Sequence, residues 1–419
     1  MNKKDYKIHI VGAGVSGLVA SKVLEDYGYE SMIIEATDRV GGRVKTDVID
    51  GYQLDHGFQV LLTAYPSAQK YLNFEALELQ HFIPGATIFS NGKQKTIGDP
   101  LRNIFLLFPT LFSGIGTLSD KVKILKLNRL LKNTTLDKIF AKSEKTTLQY
   151  LIDFGFSEEI ISKFFKPFFS GIFLEPELET SSRMFEFVYK MFGEGYATLP
   201  KGGIEAIPKQ LKSNLKHGNF QFNTKVKSVE DGKIILADGN ELESDFTIIA
   251  TESNKLVGNL KKIETKWKSC DTLYFETNTK TIKKPIIGLI SESDALINNI
   301  FYHSSILSKS TGKKQLLSVT VVKQHNLSQE NLKIRVQKEL QDYCGIDSCI
   351  FIKHYAIPKA LPNLDGIKYE MQPSETKLTN YIFLAGDTQL NGSLNAAMIA
   401  GEKAALNVIE NLKYKLKID

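Results

Sequence analysis

The chain has 419 residues, and its ordinary balance of 42% hydrophobic and 24% charged residues excludes a disordered or fibrous protein. Its 53 basic and 47 acidic residues leave a net charge of +6 without a concentrated basic stripe, so nucleic acid is not an expected partner. The length exceeds that of one typical hydrophobic core and predicts two domains.

The chain opens with a predicted βαβ unit. Residues 6–12 have the pattern of a buried strand, residues 13–28 that of a helix ending at Gly28, and residues 29–36 that of a second strand. Strands joined through a helix run parallel, which places the protein in the α/β class.

A glycine motif lies between the first strand and the helix. Gly12, Gly14 and Gly17 have the G-x-G-x-x-G spacing, which permits a tight turn, a close approach of the backbone to a pyrophosphate, and close helix–strand packing. Glu35 lies 35 − 14 = 21 residues beyond Gly14, where a carboxylate accepts hydrogen bonds from a ribose diol. The combination predicts a Rossmann-like dinucleotide site.

The next part of the chain has a different character. Residues 101–192 are rich in Leu, Phe and Lys at helical spacing and predict a helical cap. The apolar tract 103–118 is shorter than the ~20 residues of a membrane-spanning helix. Lys residues neighbour this tract. We therefore put forward the hypothesis that residues 103–132 contact an anionic membrane surface. Because the N-terminus shows no signal-peptide pattern, we expect a cytoplasmic protein, with peripheral contact at the inner face of a membrane left open.

Strand patterns return in the second half. Residues 219–251 contain short β-branched runs separated by Asp-Gly turns, and the last run resembles a strand returning to the nucleotide-binding sheet. Residues 253–345 mix strands with a final helix, and residues 382–405 add an apolar run, a Gly-Asp turn and a helical pattern. The three cysteines have no C-x-x-C spacing, so we expect small buried hydrophobes and no metal site.

The segment after Glu35 helps to distinguish a flavin-binding protein from one that binds a nicotinamide cofactor. Residues 35–46 carry Gly41, Gly42 and Arg43, a fixed cation on a loop that can fold back over the pyrophosphate. Here the sequence resembles the flavin-containing amine oxidase superfamily, which includes amine and polyamine oxidases, protoporphyrinogen oxidase and phytoene desaturase-like enzymes. In that family a G-G-R after the ribose acid marks FAD.

The resemblance extends along most of the chain. Residues 52–61 resemble the segment that passes beside the flavin ring, residues 199–211 resemble the Gly-Gly segment ahead of a helix, and Val226 matches the residue whose backbone meets adenine. The family also implies that Asp387 reaches the ribityl and pyrophosphate region, and that a helix begins beneath the isoalloxazine ring. The cofactor-binding residues so implied are Gly12, Ala13, Gly14, Ser16, Gly17, Glu35, Ala36, Gly42, Arg43, Gly57, Phe58, Val226, Gly386, Asp387, Ser393, Leu394 and Asn395.

The implied architecture is an α/β fold in which a Rossmann-like FAD-binding domain of discontinuous segments is interleaved with an α+β substrate domain and its helical cap. The FAD-binding segments are 1–80, 193–252 and 351–419. The substrate domain comprises 81–192, which includes the cap, and 253–350, which supplies a sheet and a helix.

The substrate class rests on weaker signals. Ser393 stands where amine-oxidising members carry an aromatic ring, and no Cys lies near it in the sequence, so non-covalent FAD is expected. The Phe- and Leu-rich segments 105–112 and 164–177 favour a lipophilic substrate such as a polyene, terpenoid or porphyrinogen, although aromatic residues in helices also serve as plain core. His56 and Gln59 are the polar residues placed nearest the flavin face. His56 is a general base, an orienting residue or only structural, so no catalytic residue is assigned.

We therefore expect an FAD-dependent oxidoreductase nearest the phytoene desaturase and protoporphyrinogen oxidase branch. It would dehydrogenate a lipophilic small molecule by hydride transfer to flavin N5, with oxygen or a quinone as electron acceptor. Two alternatives stay open: an amine or amino-acid oxidase of the same superfamily, and a non-catalytic flavin-binding protein associated with a membrane. The sequence leaves the oligomeric state undetermined.

Overall fold

The computed structural model describes residues 3–90, 92–98, 114–260 and 264–418. Its strands are β1 (Ile8–Val11), β2 (Met32–Ile34), β3 (Thr46–Ile49), β4 (Tyr52–Asp55), β5 (Leu61–Leu62), β6 (Leu79–His81), β7 (Gly85–Ser90), β8 (Lys93–Gly98), β9 (Ala197–Pro200), β10 (Asn219–Gln221), β11 (Val226–Glu230), β12 (Lys233–Leu236), β13 (Glu241–Glu243), β14 (Phe246–Ile249), β15 (Lys266–Thr277), β16 (Ile287–Ile290), β17 (Ile297–Tyr302), β18 (Gln315–Val321), β19 (Cys349–Asn363) and β20 (Ile382–Leu384). Its helices are α1 (Val15–Asp26), α2 (Pro66–Tyr71), α3 (Leu118–Lys132), α4 (Leu136–Phe140), α5 (Thr147–Asp153), α6 (Glu158–Ile160), α7 (Lys166–Phe173), α8 (Ser182–Glu194), α9 (Ala206–Ser213), α10 (Gln329–Cys344) and α11 (Leu394–Ile418).

The nucleotide-binding sheet is parallel and has the strand order β10-β2-β1-β14-β20. Apolar strands such as β14 can occupy its middle because helices cover the sheet. The predicted βαβ unit and the returning strand at residues 246–249 are confirmed. Since parallel strands end at one edge, the turns after β1, β2, β14 and β20 meet there, and this edge is where an open α/β sheet binds ligands.

The second large sheet has the order β19-β15-β18-β17-β16-β7-β8 and is mostly antiparallel. Helix α10 covers one face, where Leu332 and Leu340 pack in one cluster with Leu273. The opposite face carries Phe301, which belongs to the main core that also contains the cap. Both faces of this sheet are therefore buried, and the face opposite α10 is directed towards the cap.

Helices α3–α8 form the predicted cap. Helix α3 begins with a capping box, in which the Thr117 hydroxyl accepts from the backbone of Asp120 and the Asp120 carboxylate accepts from the backbone of Thr117. A π-helical turn at Ile161–Phe165 joins α6 to α7. Phe169 of α7 and Phe185 of α8 pack at a centroid distance of 4.7 Å with their rings tilted by 56°, and this contact joins the two cap helices.

The domain boundaries stay a prediction. Strand β19, which pairs with β15 from Cys349 to Asn363, crosses the expected boundary at residue 350 before the chain turns back towards β20. Positions 103–113 of the apolar tract 103–118 lie outside the described residues. Within the described ranges, no helix has the length and apolar character needed to cross a membrane.

Candidate active site

The turn between β1 and α1 forms an open backbone cradle. Gly12 has φ +107°, and a side chain there would place its Cβ 3.0 Å from the Ala250 carbonyl oxygen. A Cβ at Gly17 would lie 2.1 Å from the Gly12 carbonyl oxygen, which explains the close packing of helix on turn. A Cβ added at Gly14 would meet no described atom within 4 Å, so the backbone there is open to the cavity.

The N-terminus of α1 has the chemistry of a phosphate site. Gly14 is its N-cap and provides no side-chain hydrogen bond. The N–H groups of the first turn and the positive end of the helix dipole therefore face the cavity. The buried Ser16 hydroxyl, which lines the same cavity, has no hydrogen-bond partner among the described residues.

Glu35 is held at the end of β2 by the neighbouring backbone. Its Oε2 accepts from the Ala13 N–H at 2.8 Å, and its Oε1 accepts from the N–H and hydroxyl of Thr37 at 2.9 and 2.8 Å. The side chain lines the cavity although it is only 8% exposed. These contacts fix a carboxylate whose remaining lone pairs can accept from a ribose diol.

Arg43 joins the first and last segments of the chain. Its guanidinium donates to the Asp387 carboxylate, forms an ion pair with it, and donates to the Ala360 carbonyl oxygen at 3.2 Å. Gly41 donates its N–H to the Ala13 carbonyl oxygen at 3.0 Å, which holds the Arg43 loop against the glycine turn. Arg43 and Asp387 therefore meet beside the cradle, where the family resemblance placed each of them.

The C-terminal segment forms another part of the cavity wall. Ser393 caps α11, since its hydroxyl accepts from the Ala396 N–H at 3.0 Å and donates to the Asn391 amide oxygen at 2.7 Å. Gly392 has φ +74° and packs against Pro362, which brings β19 next to the start of this helix. The helix start thus lies on the cavity wall.

His56 belongs to a hydrogen-bonded network at the cavity wall. Its Nε2 lies 2.8 Å from Asp47 Oδ2, which also accepts from the Tyr355 hydroxyl at 2.8 Å. The His56 and Tyr355 rings stack at 4.5 Å. Burial acts to raise the pKa of Asp47, but hydrogen bonds from His56, Tyr355 and Arg39 outweigh it and hold that pKa at about 2. The ionised Asp47 orients the imidazole and leaves Nδ1 as the nitrogen not bonded to Asp47.

Gln59 is fixed by backbone contacts. Its amide nitrogen donates to the carbonyl oxygens of Arg43 and His56 at 3.0 and 2.9 Å, and the side chain lines the cavity. The amide oxygen is therefore the atom that remains for a ligand.

A cavity of about 1420 Å³ connects these groups to the cap. Gly14 and Glu35 line one end, and Phe164, Phe168 and Phe192 line the other. Small-molecule pockets are typically about 300–1,000 Å³, so this cavity has room for a dinucleotide and a second ligand.

Most of the predicted cofactor residues line this cavity. Five do not. The Ala13 N–H donates to Glu35, Gly17 packs on the glycine turn, and Ala36 is exposed. Val226 is a buried residue at the start of β11, and Asn395 accepts from the Ser67 N–H at 3.0 Å. The predicted residues that line it are Gly12, Gly14, Ser16, Glu35, Gly42, Arg43, His56, Gly57, Phe58, Gln59, Gly386, Asp387, Ser393 and Leu394. A contact of each residue with cofactor stays a prediction.

Several residues of β15 line the cavity and were not predicted from the sequence. The Arg43 guanidinium lies 5.3 Å from the ring centre of Trp267, the single tryptophan of the chain. Lys268 donates to the Thr180 hydroxyl at 2.7 Å, and burial lowers its pKa. Burial raises the pKa of Cys270 to about 12, which keeps it a neutral thiol. Within the described ranges, no group of three or more potential metal-ligating side chains could hold a metal ion.

The fold and the cradle together define a dinucleotide-dependent flavoprotein of the oxidoreductase class. The family described as "Flavin containing amine oxidoreductase" matches residues 15–409. The chain belongs to this family, and its cofactor is FAD.

Individual relatives are distant. The chain is 24% identical to a 15-cis-phytoene desaturase of Solanum lycopersicum over 79% of this chain and 60% of that protein. It is 21% identical to protoporphyrinogen oxidase 2 of Arabidopsis thaliana over 97% of this chain and 94% of that protein. It is 29% identical to an L-amino-acid oxidase of Sistrurus catenatus edwardsii over 35% of this chain and 28% of that protein. The chain thus spans less than two thirds of the desaturase and of the L-amino-acid oxidase.

A solved structure shows the same fold. An oxidoreductase from Methanosarcina mazei superposes with a TM-score of 0.73 at 16% identity, covering 96% of this chain and 100% of that one. At this identity the similarity shows the fold alone.

Proposed function

We propose that the protein is an FAD-dependent oxidoreductase that dehydrogenates a lipophilic small molecule. The observation that carries the proposal is the cavity of about 1420 Å³ that runs from the glycine cradle to a wall of phenylalanines. The Phe168 ring contacts both Phe164 and Phe192, at centroid distances of 5.5 and 5.6 Å. Such a surface binds apolar molecules by removing their surface from water.

The cradle fits FAD on four features of this chain. The Gly14 backbone is open, the Ser16 hydroxyl lacks a partner among the described residues, Glu35 is oriented for a ribose, and Arg43 is placed to balance the charge of a pyrophosphate. Cys270 is a neutral buried thiol and Ser393 occupies the start of α11, so we propose that FAD is held without a covalent link.

The chain's own residues bind, orient and exclude water. When bound, FAD supplies an acceptor for a hydride, so dehydrogenation of the substrate also releases one proton. His56 Nδ1 is the proposed site that takes up this proton, because Asp47 at 2.8 Å orients the imidazole through Nε2 and leaves Nδ1 as the nitrogen not bonded to Asp47. The cap excludes water from the apolar end of the cavity.

An anaerobic reduction screen tests this function. The FAD-loaded protein is mixed with a panel of polyenes, terpenoids and a porphyrinogen, and in parallel with amines and L-amino acids, while loss of the flavin absorption is recorded. We expect reduction by the first panel. Reduction by the second panel alone would replace the proposal by an amine or amino-acid oxidase, which the similarity to an L-amino-acid oxidase favours. Absence of reduction by every donor would favour a non-catalytic flavin-binding protein. Mixing the reduced protein with oxygen or a quinone then identifies the electron acceptor.

We also propose a peripheral contact with an anionic membrane. Helix α3 exposes Leu118, Val122 and Leu125 at 75%, 64% and 49%. Leu125 and Lys121 line the cavity, so this apolar, Lys-bearing surface adjoins an opening of the cavity. In co-sedimentation with anionic vesicles at low salt, Val122→Asp should reduce binding. The control Leu307→Asp changes an equally exposed residue elsewhere and should leave binding unchanged. Equal sedimentation of both variants and the wild type would contradict the contact.

A further inference from the structure

A row of polar side chains crosses the second sheet on its cavity side. Thr272 on β15 pairs with Thr320 on β18, and Thr320 pairs with Asn299 on β17. Directly paired residues of antiparallel strands project from the same face. Thr320 lines the cavity, and so does Cys270, which precedes Thr272 by two residues on the same face of β15. Thr320 therefore lies on the floor of the cavity, and Thr272 and Asn299 flank it in the same row without lining the cavity themselves.

The row is deeply buried and its hydrogen bonding is incomplete. Thr272, Thr320 and Asn299 are exposed by 0%, 3% and 2%. Asn299 Nδ2 donates to Thr320 Oγ1 at 3.3 Å, but Thr272 Oγ1 has no hydrogen-bond partner among the described residues. The Thr320 hydroxyl accepts the bond from Asn299, and its own proton can be donated to a ligand atom in the cavity.

A glycine of the cap packs closely against one end of this row. Gly171 of α7 lines the cavity above it, and a Cβ at this position would lie 3.0 Å from Asn299 Oδ1 and 2.7 Å from Asn298 Nδ2. A larger residue would collide with these amide groups. The glycine therefore lets α7 approach the polar end of the row closely.

We propose that Thr320, flanked in its row by Thr272 and Asn299, forms a subsite for a neutral oxygen of the substrate, a hydroxyl or a carbonyl. This inference rests on the proposed function, because it names the polar group of the same lipophilic substrate. The row contains no ionisable side chain, so it favours a neutral oxygen over an ammonium or a carboxylate. With the oxygen paired there, the apolar body extends towards Phe164 and Phe168.

Two probes that differ by one oxygen test the subsite. The FAD-loaded protein is titrated anaerobically with farnesol and with farnesene, its hydrocarbon counterpart, and dissociation constants are taken from the change in the flavin spectrum. We expect farnesol to bind about five- to tenfold more tightly than farnesene, the effect of one or two neutral hydrogen bonds. In Thr320→Val, which keeps the side-chain shape, that ratio should fall to about one.

Two further variants complete the experiment. Thr87→Val alters a buried threonine of the same sheet outside the cavity lining and should keep the wild-type ratio. Asn299→Leu provides a second test should Thr320→Val fold poorly, and it too should remove the preference. Equal affinities for the two probes in the wild type, or a preference that survives both subsite variants, would overturn the subsite while leaving a lipophilic substrate in place. Failure of both probes to bind would overturn the lipophilic class and the subsite with it.

Discussion

Replacement of Glu35 by Gln tests whether the adenosine half of FAD lies where the cradle places it. Both carboxylate oxygens already accept backbone N–H groups, from Ala13 at 2.8 Å and from Thr37 at 2.9 Å. In either orientation of the Gln amide, its NH₂ group meets one of these donors. The variant therefore loses a charge-assisted hydrogen bond and misplaces the acceptor for the ribose.

The expected magnitude follows from the hydrogen bonds involved. A hydrogen bond to a charged group contributes about 1.5–3 kcal/mol, which corresponds to a rise of about 10- to 150-fold in the FAD dissociation constant. FMN lacks adenosine, so its affinity should change by less than about threefold. Titration of the deflavinated protein with FAD and FMN, followed by flavin fluorescence, measures both constants.

A matched control separates this effect from the loss of a negative charge. Glu230→Gln removes an exposed carboxylate on β11 whose ion pair with Lys233 is long, at 3.8 Å, and should leave FAD binding unchanged. Equal losses of FAD and FMN affinity in Glu35→Gln, or an FAD affinity within about threefold of the wild type, would refute the placement.

Three further outcomes are expected. Arg43→Lys keeps a charge but loses the forked contacts with Asp387 and the Ala360 carbonyl, so the FAD dissociation constant should rise about tenfold; an unchanged constant would contradict the link between the two ends of the chain. Burial raises the pKa of Asp55 to about 6, against about 3.9 when unfolded, so the native state binds the proton more tightly and stability is lost as pH rises from about 4 to 6. The loss amounts to about 3 kcal/mol of the free energy of unfolding, measured by urea unfolding at pH 4 and pH 6. Asp55→Asn should remove most of this pH dependence, and an unchanged dependence in the variant would contradict the reasoning. Phe168→Ala should weaken farnesol binding about tenfold without changing the FAD content, and retained affinity would remove the cap from the substrate site.

The nucleotide half of the site was predictable because local rules determine it. A buried strand, a turn that needs positive φ at Gly12, and a helix packed on Gly17 fix the cradle within a short stretch of chain. The carboxylate of Glu35 follows from the same unit, since the end of β2 lies beside the end of β1. The family resemblance placed Arg43 and Asp387 separately near the pyrophosphate, whereas their ion pair was not predicted, because spacing alone does not relate residues so far apart.

The substrate half was less accessible from the sequence. The sequence of β15 predicts a strand. Because both faces of its sheet are buried, the alternation of apolar and polar residues does not show which side chains meet the cavity. Cys270 and Thr320 line the cavity only because the cap packs over their side of the sheet. Pairing across nonadjacent strands also extends the second sheet to Asn363, beyond the predicted boundary at residue 350.

The most direct test of the central claim is an absorption spectrum of the purified protein before and after heat denaturation and centrifugation. Flavin bands in the native protein, with FAD released into the supernatant, are the expected result, because Arg43 and Asp387 bring both ends of the chain to one non-covalent FAD site. A colourless protein that also fails to take up added FAD would contradict that site.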